Sequence, residues 1–306
     1  MAKIEVDNPK SRKGSRYGRY LMQISKRIKS SFLFGGVRFL RRVESNFVDL
    51  RDLLIISRRD SSMRNHPNPL TRFGRQSFSQ SEEDGITLEI LNRIGKLHDG
   101  TFAEFGVGTG MENNTLVLRA LGWKGFWVGN ENLAFEINCP EDSFTYIKSW
   151  ITLENIVQIS EAAKAKLGRS EIDVISLDLD GNDIFLVEKL LKGSFLPSLF
   201  IVEYNSKYFP PIEWSIIYNP DHEWAGDDYF GASLMSFTLL FSKYKYKLVC
   251  CNSHTGANAF FVREEFSSQF KDVPNDIRDI FASGSSLLPS KPGQKTSIRA
   301  IANLFT

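Results

Sequence analysis

The feature that most constrains the fold is a regular change of hydrophobic period between residues 101 and 264. Short apolar segments alternate there with segments whose apolar residues recur at helical spacing. Strands and helices in this order form a parallel sheet with right-handed crossovers and helices on both faces. The last two apolar segments, 246–252 and 257–264, are separated by a short turn and favour an antiparallel hairpin. The sequence therefore predicts an α/β fold, a doubly wound, mostly parallel sheet closed by a C-terminal antiparallel hairpin.

The chain divides into three regions. We predict a basic N-terminal arm or adaptor with helical character over 1–76, the α/β domain over 77–266, and a tail over 267–306. At the start of the domain, residues 79–97 begin with Ser and acids and continue with an apolar face, which predicts a helix with an acidic first turn. We find no internal repeat and no low-complexity tract.

The composition is that of a globular protein with reduced thiols. Hydrophobic residues make up 42% of the chain, which is enough for a sizeable core. Three cysteines without CxxC spacing indicate a reducing compartment. No apolar run reaches membrane-spanning length, and the N-terminus lacks the apolar core of a secretory signal. We therefore expect a cytoplasmic protein, with peripheral membrane contact as an alternative.

That alternative depends on an uneven charge distribution. The net charge is +2, but residues 1–42 hold 12 Lys or Arg and 2 Asp or Glu, so they carry +10 and the remainder carries −8. Such a segment is either a solvated leader or a contact for a polyanion. The polyanion would be an anionic membrane, a phosphorylated carrier or a nucleic acid.

Three glycines follow the first apolar segment of the domain in "TFAEFGVGTGMENNTL", residues 101–116. Gly106, Gly108 and Gly110 stand at alternate positions, where a dinucleotide site would require G-x-G-x-x-G. Since ligands bind beyond the carboxyl ends of the strands in such a sheet, the glycines should line a pocket. Glu112 disfavours a phosphate at the following helix. Glu104 could meet an ammonium group, which favours a cofactor that combines an adenosine with a cationic tail.

A family resemblance supports this cofactor. "AEFGVGTG" resembles the first motif of class I S-adenosylmethionine-dependent methyltransferases. The ordered segments "SLDLDGND", "IVEYN", "GASL" and "GANAFFVRE" are similar to FkbM-like and related methyltransferase-like proteins of glycan and natural-product biosynthesis. The resemblance covers residues 77–265 and implies a Rossmann-like methyltransferase sheet.

The resemblance also implies a set of cofactor-binding residues. Glu104 and the three glycines would hold the methionine and ribose parts of S-adenosylmethionine. The family pattern expects an acid at the end of the second strand, where this chain has Gly129 and Asn130. We assign the ribose hydroxyls to Glu131, with Asn130 as the alternative, and we add Asp178 to the cofactor site.

A second set of polar residues follows the fourth and fifth strands. We assign catalysis to Asp180, Glu203 and Asn205, whose strand ends should meet at one edge of the sheet. One alternative is a general base, if burial raises a carboxylate pKa. Another is a divalent metal, Mg²⁺ or Mn²⁺, because all three side chains offer oxygen ligands. The third is a purely structural use in turns. His222 and His254, in loops after strands, are weaker candidates.

The connection 206–230 between the fifth strand and the next helix is far longer than usual for such a fold. It carries aromatic and acidic residues that suit a sugar or an aromatic metabolite. An acidic, aromatic loop is a poor contact for nucleic-acid phosphate, so a nucleic-acid partner is not expected.

We therefore predict a methyltransferase that acts on a hydroxyl of a sugar, a glycan or a secondary metabolite. Two other functions stay open. A nicotinamide-dependent oxidoreductase is disfavoured by the glycine spacing. A non-catalytic adaptor that docks through its basic arm stays open because the expected acid is missing at Gly129. The sequence leaves the acceptor, the transfer atom and the oligomeric state open.

Overall fold

The computed structural model describes residues 42–284 and 293–306. The chain forms two compact units, Met1–Arg58 and Arg59–Thr306. In the first unit, residues 42–58 are helical. The predicted polyanion contact, residues 1–42, lies outside the described residues except for its last residue.

The second unit contains the predicted α/β domain. It begins with helical residues 59–65 and a 3₁₀ turn, Pro69–Phe73. The limits at residues 76 and 266 stay predictions, and the unit includes residues on both sides of them. No helix in the described part of the chain has the length and apolarity to cross a membrane.

One sheet of seven strands forms the centre of the described domain. The strands are β1 (Thr101–Phe105), β2 (Lys124–Gly129), β3 (Phe144–Lys148), β4 (Val174–Leu177), β5 (Leu199–Glu203), β6 (Tyr246–Cys251) and β7 (Asn258–Arg263). In space the order is β3-β2-β1-β4-β5-β7-β6. Strands β1 to β5 pair in parallel, and β7 pairs antiparallel with both of its neighbours. This confirms the predicted α/β sheet and its closing hairpin.

Helices connect the strands and complete the layers of the fold. Their apolar faces pack with the sheet into one core, and the central strands β1 and β4 are buried along their whole length. Strands buried on both faces are rich in apolar residues, and here the sequences are TFAEF and VISL, with Glu104 as the one buried acid. The α-helices are α1 (Glu83–Arg93), α2 (Leu116–Ala120), α3 (Ile156–Lys166), α4 (Asp183–Lys192), α5 (Leu234–Lys243), α6 (Ile277–Ile280) and α7 (Ile298–Ala302). Further 3₁₀ turns are Glu264–Phe270 and Asn303–Phe305.

Helix α1 confirms the predicted acidic start, but the acids are buried. Glu82, Glu83 and Asp84, which we call the α1 acids, are each at most 1% exposed. The Asp84 Oδ2 accepts hydrogen bonds from three consecutive backbone N–H groups, those of residues 77–79, at 2.6, 2.6 and 3.0 Å. Hydrogen bonds from several backbone donors to one carboxylate oxygen fix the backbone that carries them. Asp84 therefore fixes the loop that leads into α1.

The other two α1 acids tie the helix to the turn between β6 and β7. The backbone N–H of His254 donates to the Glu82 Oε1 at 2.6 Å. The amide groups of Asn252 and Asn258 donate to the Glu83 Oε1 at 2.7 and 3.2 Å. Burial raises the pKa of Glu83, and these hydrogen bonds partly offset that rise. Each buried acid is thus matched by donors from a distant segment.

Candidate functional site

The glycine loop after β1 lies against the end of β4. Gly106 has φ +91, and a Cβ built on it would lie 1.6 Å from the backbone oxygen of Asp178. No side chain fits there, because heavy atoms cannot approach so closely and L-residues avoid that backbone conformation. Gly108 also has a positive φ, +50. Gly110 has a different surrounding, because a Cβ there would lie 2.9 Å from Leu133.

Glu104 supports this loop from beneath. Its carboxylate accepts hydrogen bonds from the backbone N–H of Asn114 at 2.8 Å and of Thr115 at 3.1 Å, and also from the Thr115 hydroxyl. Burial raises the pKa of Glu104, and the Thr115 and amide donors lower it again. The side chain lines neither of the cavities described next. The geometry gives Glu104 the role of a loop support, whereas its predicted contact with a cofactor stays a prediction.

A first cavity, which we call the glycine cavity, opens at the carboxyl ends of β1 to β4. Its volume is about 330 Å³. Its wall contains backbone at the glycine positions and polar and aromatic side chains opposite them. The lining residues that matter here are Gly106, Gly108, Gly129, Glu131, Trp150 and Asp178. This position agrees with the rule that ligands bind beyond the carboxyl ends of the strands.

The end of β2 supplies the polar edge of the glycine cavity. Asn130 and Glu131 follow Gly129, and both line the cavity. A Cβ built on Gly108 would lie 3.8 Å from the Glu131 Oε1, so this carboxylate faces the glycine loop across a narrow gap. The hydroxyl of Tyr146 donates to the backbone oxygens of Gly129 at 3.0 Å and of Glu131 at 2.6 Å. Tyr146 thereby fixes the turn that presents Glu131.

A second cavity of about 610 Å³ adjoins the first, and we call it the carboxylate cavity. Gly106, Gly108, Asp178, Asp180 and Trp224 line both cavities. The larger cavity adds side chains from segments that are distant in sequence. These are Gln80, Glu203, Ser206, Phe230, Thr255 and Gln294.

Three carboxylates form a cluster in the wall of this cavity. Asp178, Asp180 and Glu203 each offer an oxygen, and these oxygens all lie within 4.8 Å of one another. Burial and then the charge of Asp180 raise the pKa of Asp178 well above its usual value. Burial and then the charge of Asp178 do the same for Glu203. The Glu203 Oε2 is buried without a hydrogen-bond partner in the described residues. Carboxylates this close cannot all stay ionised without a cation or a proton between them.

The turn after β4 holds the two aspartates in place. Asp183, at the start of α4, accepts hydrogen bonds from the backbone N–H of Leu179 at 2.8 Å and of Gly181 at 2.9 Å. Burial raises the pKa of Asp183 to about 7, although these backbone donors lower it. Asp180 has φ +54, an uncommon conformation for a non-glycine residue. Asp183 therefore shapes the turn, and it lines neither cavity.

Asn205 is not part of the carboxylate cluster. Its side-chain amide donates to the backbone oxygens of Asp228 at 3.1 Å and of Phe230 at 3.0 Å. Its side-chain oxygen accepts from the backbone N–H of Lys207 at 3.2 Å. The fully buried side chain lines neither cavity, because it closes the base of the long connection instead. The structure therefore brings Asp178, and not Asn205, together with Asp180 and Glu203.

The two candidate histidines lie in different places. His222 lines the glycine cavity, and its buried Nε2 has no hydrogen-bond partner among the described residues. Its ring packs on Gly181, where a Cβ would lie 2.2 Å from the His222 Cδ2. Burial lowers the pKa of His222. His254 lines neither cavity, and its backbone serves Glu82 as described above.

The long connection 206–230 is held in place by the C-terminal residues. The Lys207 Nζ lies 2.6 Å from the Asp228 Oδ2, and the other oxygen of Asp228 accepts from the backbone N–H of Ser297 at 2.8 Å. Ala300 packs against Trp214. Gly293 and Gln294 of this C-terminal segment line the carboxylate cavity. The sequence predicts only a tail over 267–306, whereas the structure places part of it at the site.

Comparison with known proteins gives fold similarities only. No family model matches the chain, and no curated protein does. Among solved structures, CalO1, described as a methyltransferase in calicheamicin biosynthesis in an SAH-bound form, is 14% identical, with 66% of this chain and 54% of that chain covered and a TM-score of 0.29. The methyltransferase MycE from the mycinamycin pathway, in complex with Mg, SAH and mycinamycin VI, is 11% identical, with 58% and 44% covered and a TM-score of 0.32.

A third solved structure is ChlM, magnesium protoporphyrin IX methyltransferase from Synechocystis PCC 6803 with bound SAH. It is 10% identical, with 62% of this chain and 90% of that chain covered and a TM-score of 0.32. The chain spans about half the length of CalO1 and less than half of MycE. Similarities of this size assign neither an activity nor a ligand to this chain.

Proposed function

We propose that this chain is an S-adenosylmethionine-dependent methyltransferase that acts on a hydroxyl group of a sugar, a glycan or a related secondary metabolite. The observation that carries the proposal is the shared wall of the two cavities, formed by Gly106, Gly108 and Asp178. A cofactor in the glycine cavity and an acceptor in the carboxylate cavity would meet at this wall. In-line methyl transfer requires such positioning above all.

The residues of the glycine cavity fit S-adenosylmethionine. The bare backbone at Gly108, where a Cβ would have only the Glu131 Oε1 within 4 Å, allows close approach of the cofactor's methionine part. The Glu131 carboxylate can accept hydrogen bonds from the two ribose hydroxyls, and Asn130 is its neighbour on the same wall. Trp150 offers a flat apolar surface for the adenine base. The volume is at the lower end of the range for small-molecule sites.

The same geometry disfavours a nicotinamide dinucleotide. A pyrophosphate is usually bound by the free N–H groups where the helix after β1 begins. Here the N–H groups of Asn114 and Thr115, directly before α2, already donate to the Glu104 carboxylate. A pyrophosphate would have to displace a buried anion from these donors. The oxidoreductase alternative therefore has little support.

The carboxylate cavity supplies the groups that would handle the acceptor. When bound, S-adenosylmethionine supplies an electrophilic methyl group. Asp180 and Glu203 would orient the acceptor hydroxyl and take its proton, for which a raised pKa suits Glu203. Phe230 and Trp224 add apolar surface on the side of the long connection. The C-terminal segment completes the wall with Gln294.

As the alternative to this use of Glu203 as a base, we propose that the three carboxylates hold a divalent cation, Mg²⁺ or Mn²⁺. The support is the unpartnered Glu203 Oε2 and the 4.8 Å limit on the separation of the three oxygens. Carboxylate oxygens are the ligands that both ions prefer. A cation there would remove the repulsion among the carboxylates and would lower the pKa of a hydroxyl bound to it. Asn205 is left out of this ligand set, since its amide and carbonyl groups are already hydrogen-bonded.

Calorimetric titration with S-adenosylmethionine tests the proposal, first with EDTA and then with added Mg²⁺ or Mn²⁺. We expect micromolar binding by the wild-type protein. Glu131→Gln should weaken it about fivefold to tenfold, because hydrogen bonds from the ribose to a charged acceptor are lost. Glu136→Gln, an exposed acid in the same loop that lines neither cavity, is the matched control and should leave the affinity unchanged.

Absence of binding under all three conditions would contradict the proposal and would favour the non-catalytic adaptor. Equal effects of the two variants would leave the cofactor in place but remove Glu131 from its site. Formation of S-adenosylhomocysteine with hydroxylated acceptors then identifies the substrate.

A further inference from the structure

A third cavity is rich in arginine and shares no lining residue with the glycine cavity or the carboxylate cavity. Its volume is about 480 Å³. It lies between helical residues 59–64 and the chain segment 72–76. Four of its lining residues are arginines, and one is an acid: Arg59, Arg64, Arg72, Arg75 and Asp60. We call it the arginine cavity.

The arginines of this cavity are poorly neutralised. Within residues 42–284 and 293–306, Arg64, Arg72 and Arg75 form no ion pair, and the Arg59 Nε is 3.8 Å from the Asp60 Oδ1. The Arg59 Nε is buried and has no hydrogen-bond partner among these residues. The cavity wall therefore carries an excess of three positive charges, four arginines against one aspartate. A cleft lined by one sign of charge concentrates ions of the opposite sign, so this wall attracts anions.

Some of the guanidinium groups are already oriented by backbone oxygens. The Arg64 Nε donates to the backbone oxygen of Asp60 at 3.1 Å. The Arg75 Nη1 donates to the backbone oxygens of Gly74 at 2.6 Å and of Arg72 at 3.4 Å. Each contact uses one N–H and leaves the others of the five on a guanidinium group for a ligand. The side chains are thus partly held in position before any ligand binds.

The backbone around the cavity is tightly packed against α1. A Cβ built on the buried Gly74 would lie 2.7 Å from the Met63 sulfur and 2.9 Å from the Glu82 Cβ. The backbone N–H of Arg75 donates to the oxygen of Glu82 at 3.3 Å, and the N–H of Gly85 donates to the oxygen of Arg75 at 3.0 Å. This cavity wall is therefore connected directly to the helix that the buried acids fix.

A short loop joins the arginine cavity to the carboxylate cavity. Gln76 lines the first and Gln80 lines the second. The Gln76 side-chain amide donates to the backbone oxygens of Ser79 at 3.2 Å and of Gln80 at 3.1 Å. Four residues of fully extended chain span at most about 14 Å. One elongated molecule can therefore contact both walls.

We propose that the arginine cavity binds a phosphate or diphosphate group of a phosphorylated molecule. Guanidinium forks match phosphate oxygens in pairs, and their charge cannot be lost by deprotonation. The cavity is larger than one phosphate requires, which favours a diphosphate or an ester that continues beyond it. The group belongs either to a soluble phosphate ester whose hydroxyl part reaches the carboxylate cavity or to an anionic lipid. The link to the acceptor rests on the proposed methyltransferase function, whereas the anion site itself does not.

The test is calorimetric titration of the full chain with inorganic pyrophosphate. The variant Arg72→Gln/Arg75→Gln should weaken binding at least about tenfold, because one charge-assisted hydrogen bond already contributes on that scale. Lys245→Gln/Lys271→Gln removes the same charge at two exposed positions that line none of the three cavities, and should change binding less than about twofold. An equal loss in both double variants, or no loss in either, would overturn the proposal.

A second variant separates the site from the folding of the loop. Arg72→Glu reverses a charge at an exposed lining position whose side chain makes no hydrogen bond or ion pair in the described residues, so it should weaken pyrophosphate binding while the unfolding temperature stays unchanged. Unchanged pyrophosphate binding by this variant would overturn the proposal even if the double arginine variant fails to fold. The S-adenosylmethionine titration described above is independent of these measurements, so the two proposals can fail separately.

The source of the phosphate is distinguished by a vesicle assay. Phosphatidylcholine vesicles with and without phosphatidic acid are sedimented with the wild-type protein and both double variants. Retention that needs phosphatidic acid, Arg72 and Arg75 would assign the cavity to a lipid headgroup. Pyrophosphate binding with the same arginine dependence, without vesicle retention, would assign it to a soluble ester. Arginine-independent behaviour in both assays would contradict the site.

Discussion

Two groups of buried or half-buried acids lie in this domain, and their surroundings differ. The α1 acids have backbone and amide donors around them: the Asp84 Oδ2 accepts three N–H groups, while the Asp84 Oδ1 has no partner in the described residues. Asp178 and Glu203 have mainly other carboxylates near them, and the Glu203 Oε2 has no partner in the described residues. A protein keeps charges of the first kind because they hold segments together. Charges of the second kind destabilise the fold until a ligand, a cation or a proton joins them.

Removing a side chain from the α1 acids should have the largest effect on the free energy of unfolding. Asp84→Ala leaves three backbone N–H groups without their acceptor, and we expect the free energy of unfolding to fall by about 3 kcal/mol. Chemical denaturation measures this loss. Asp84→Asn keeps one acceptor oxygen and should lose less. A loss below about 1 kcal/mol for the alanine variant would mean that water replaces the carboxylate and that the α1 acids are not a structural device.

The carboxylate cluster should destabilise the folded state as the pH rises, in contrast to the α1 acids, which hold segments together. Burial raises the folded-state pKa of Asp178, Glu203 and Asp183, the last to about 7. The folded state therefore binds more protons than the unfolded state, so stability is greatest below about pH 4 for these groups and is lost as the pH rises through their folded-state pKa values. In EDTA, we expect the free energy of unfolding to fall by on the order of 2 kcal/mol between about pH 5 and about pH 8.

Denaturation curves at the two pH values test this slope, and Glu203→Gln is the control. The variant removes one titrating carboxyl and should flatten the pH dependence. Added Mn²⁺ should raise the stability of the wild-type protein mainly at the higher pH, where the carboxylates are ionised. A stability that rises with pH in EDTA would contradict the assignment of protons to this cluster.

Metal binding distinguishes the carboxylate cluster from the α1 acids most clearly, although the expected change in free energy is smaller than in the two predictions above. Glu203→Gln should weaken Mn²⁺ binding at least about tenfold, which corresponds to about 1.4 kcal/mol. Glu83→Gln makes the same chemical change among the α1 acids and should leave Mn²⁺ affinity unchanged, although it lowers stability. Isothermal titration calorimetry measures both affinities. Equal affinities for all three proteins would exclude a metal site at the cluster.

The fold was largely predictable because it depends on local patterns. Contiguous residues determine the apolar strands, the helical spacing and the glycines after β1. The sheet has the predicted arrangement. The position of Glu131 at the cavity edge follows in the same way, since it lies directly after a strand. A residue at a strand end has its position determined by the topology.

The site was less predictable because side-chain partners come from distant segments. Asn205 directly follows β5, where a metal ligand would be expected. Its amide instead donates hydrogen bonds to two backbone oxygens of the long connection. Asp178 is drawn into the cluster by the turn that Asp183 caps. The contact of Asn205 has no signal in the local sequence, because it depends on where the long connection folds back.

The C-terminal segment has a practical consequence for anyone who produces this protein. Residues 293–306 brace the long connection and carry Gly293 and Gln294 in the wall of the carboxylate cavity. A deletion that removes Gly293 and Gln294 would act on the proposed acceptor pocket itself. Chimaeras that exchange this segment therefore offer a short route to altered substrate preference.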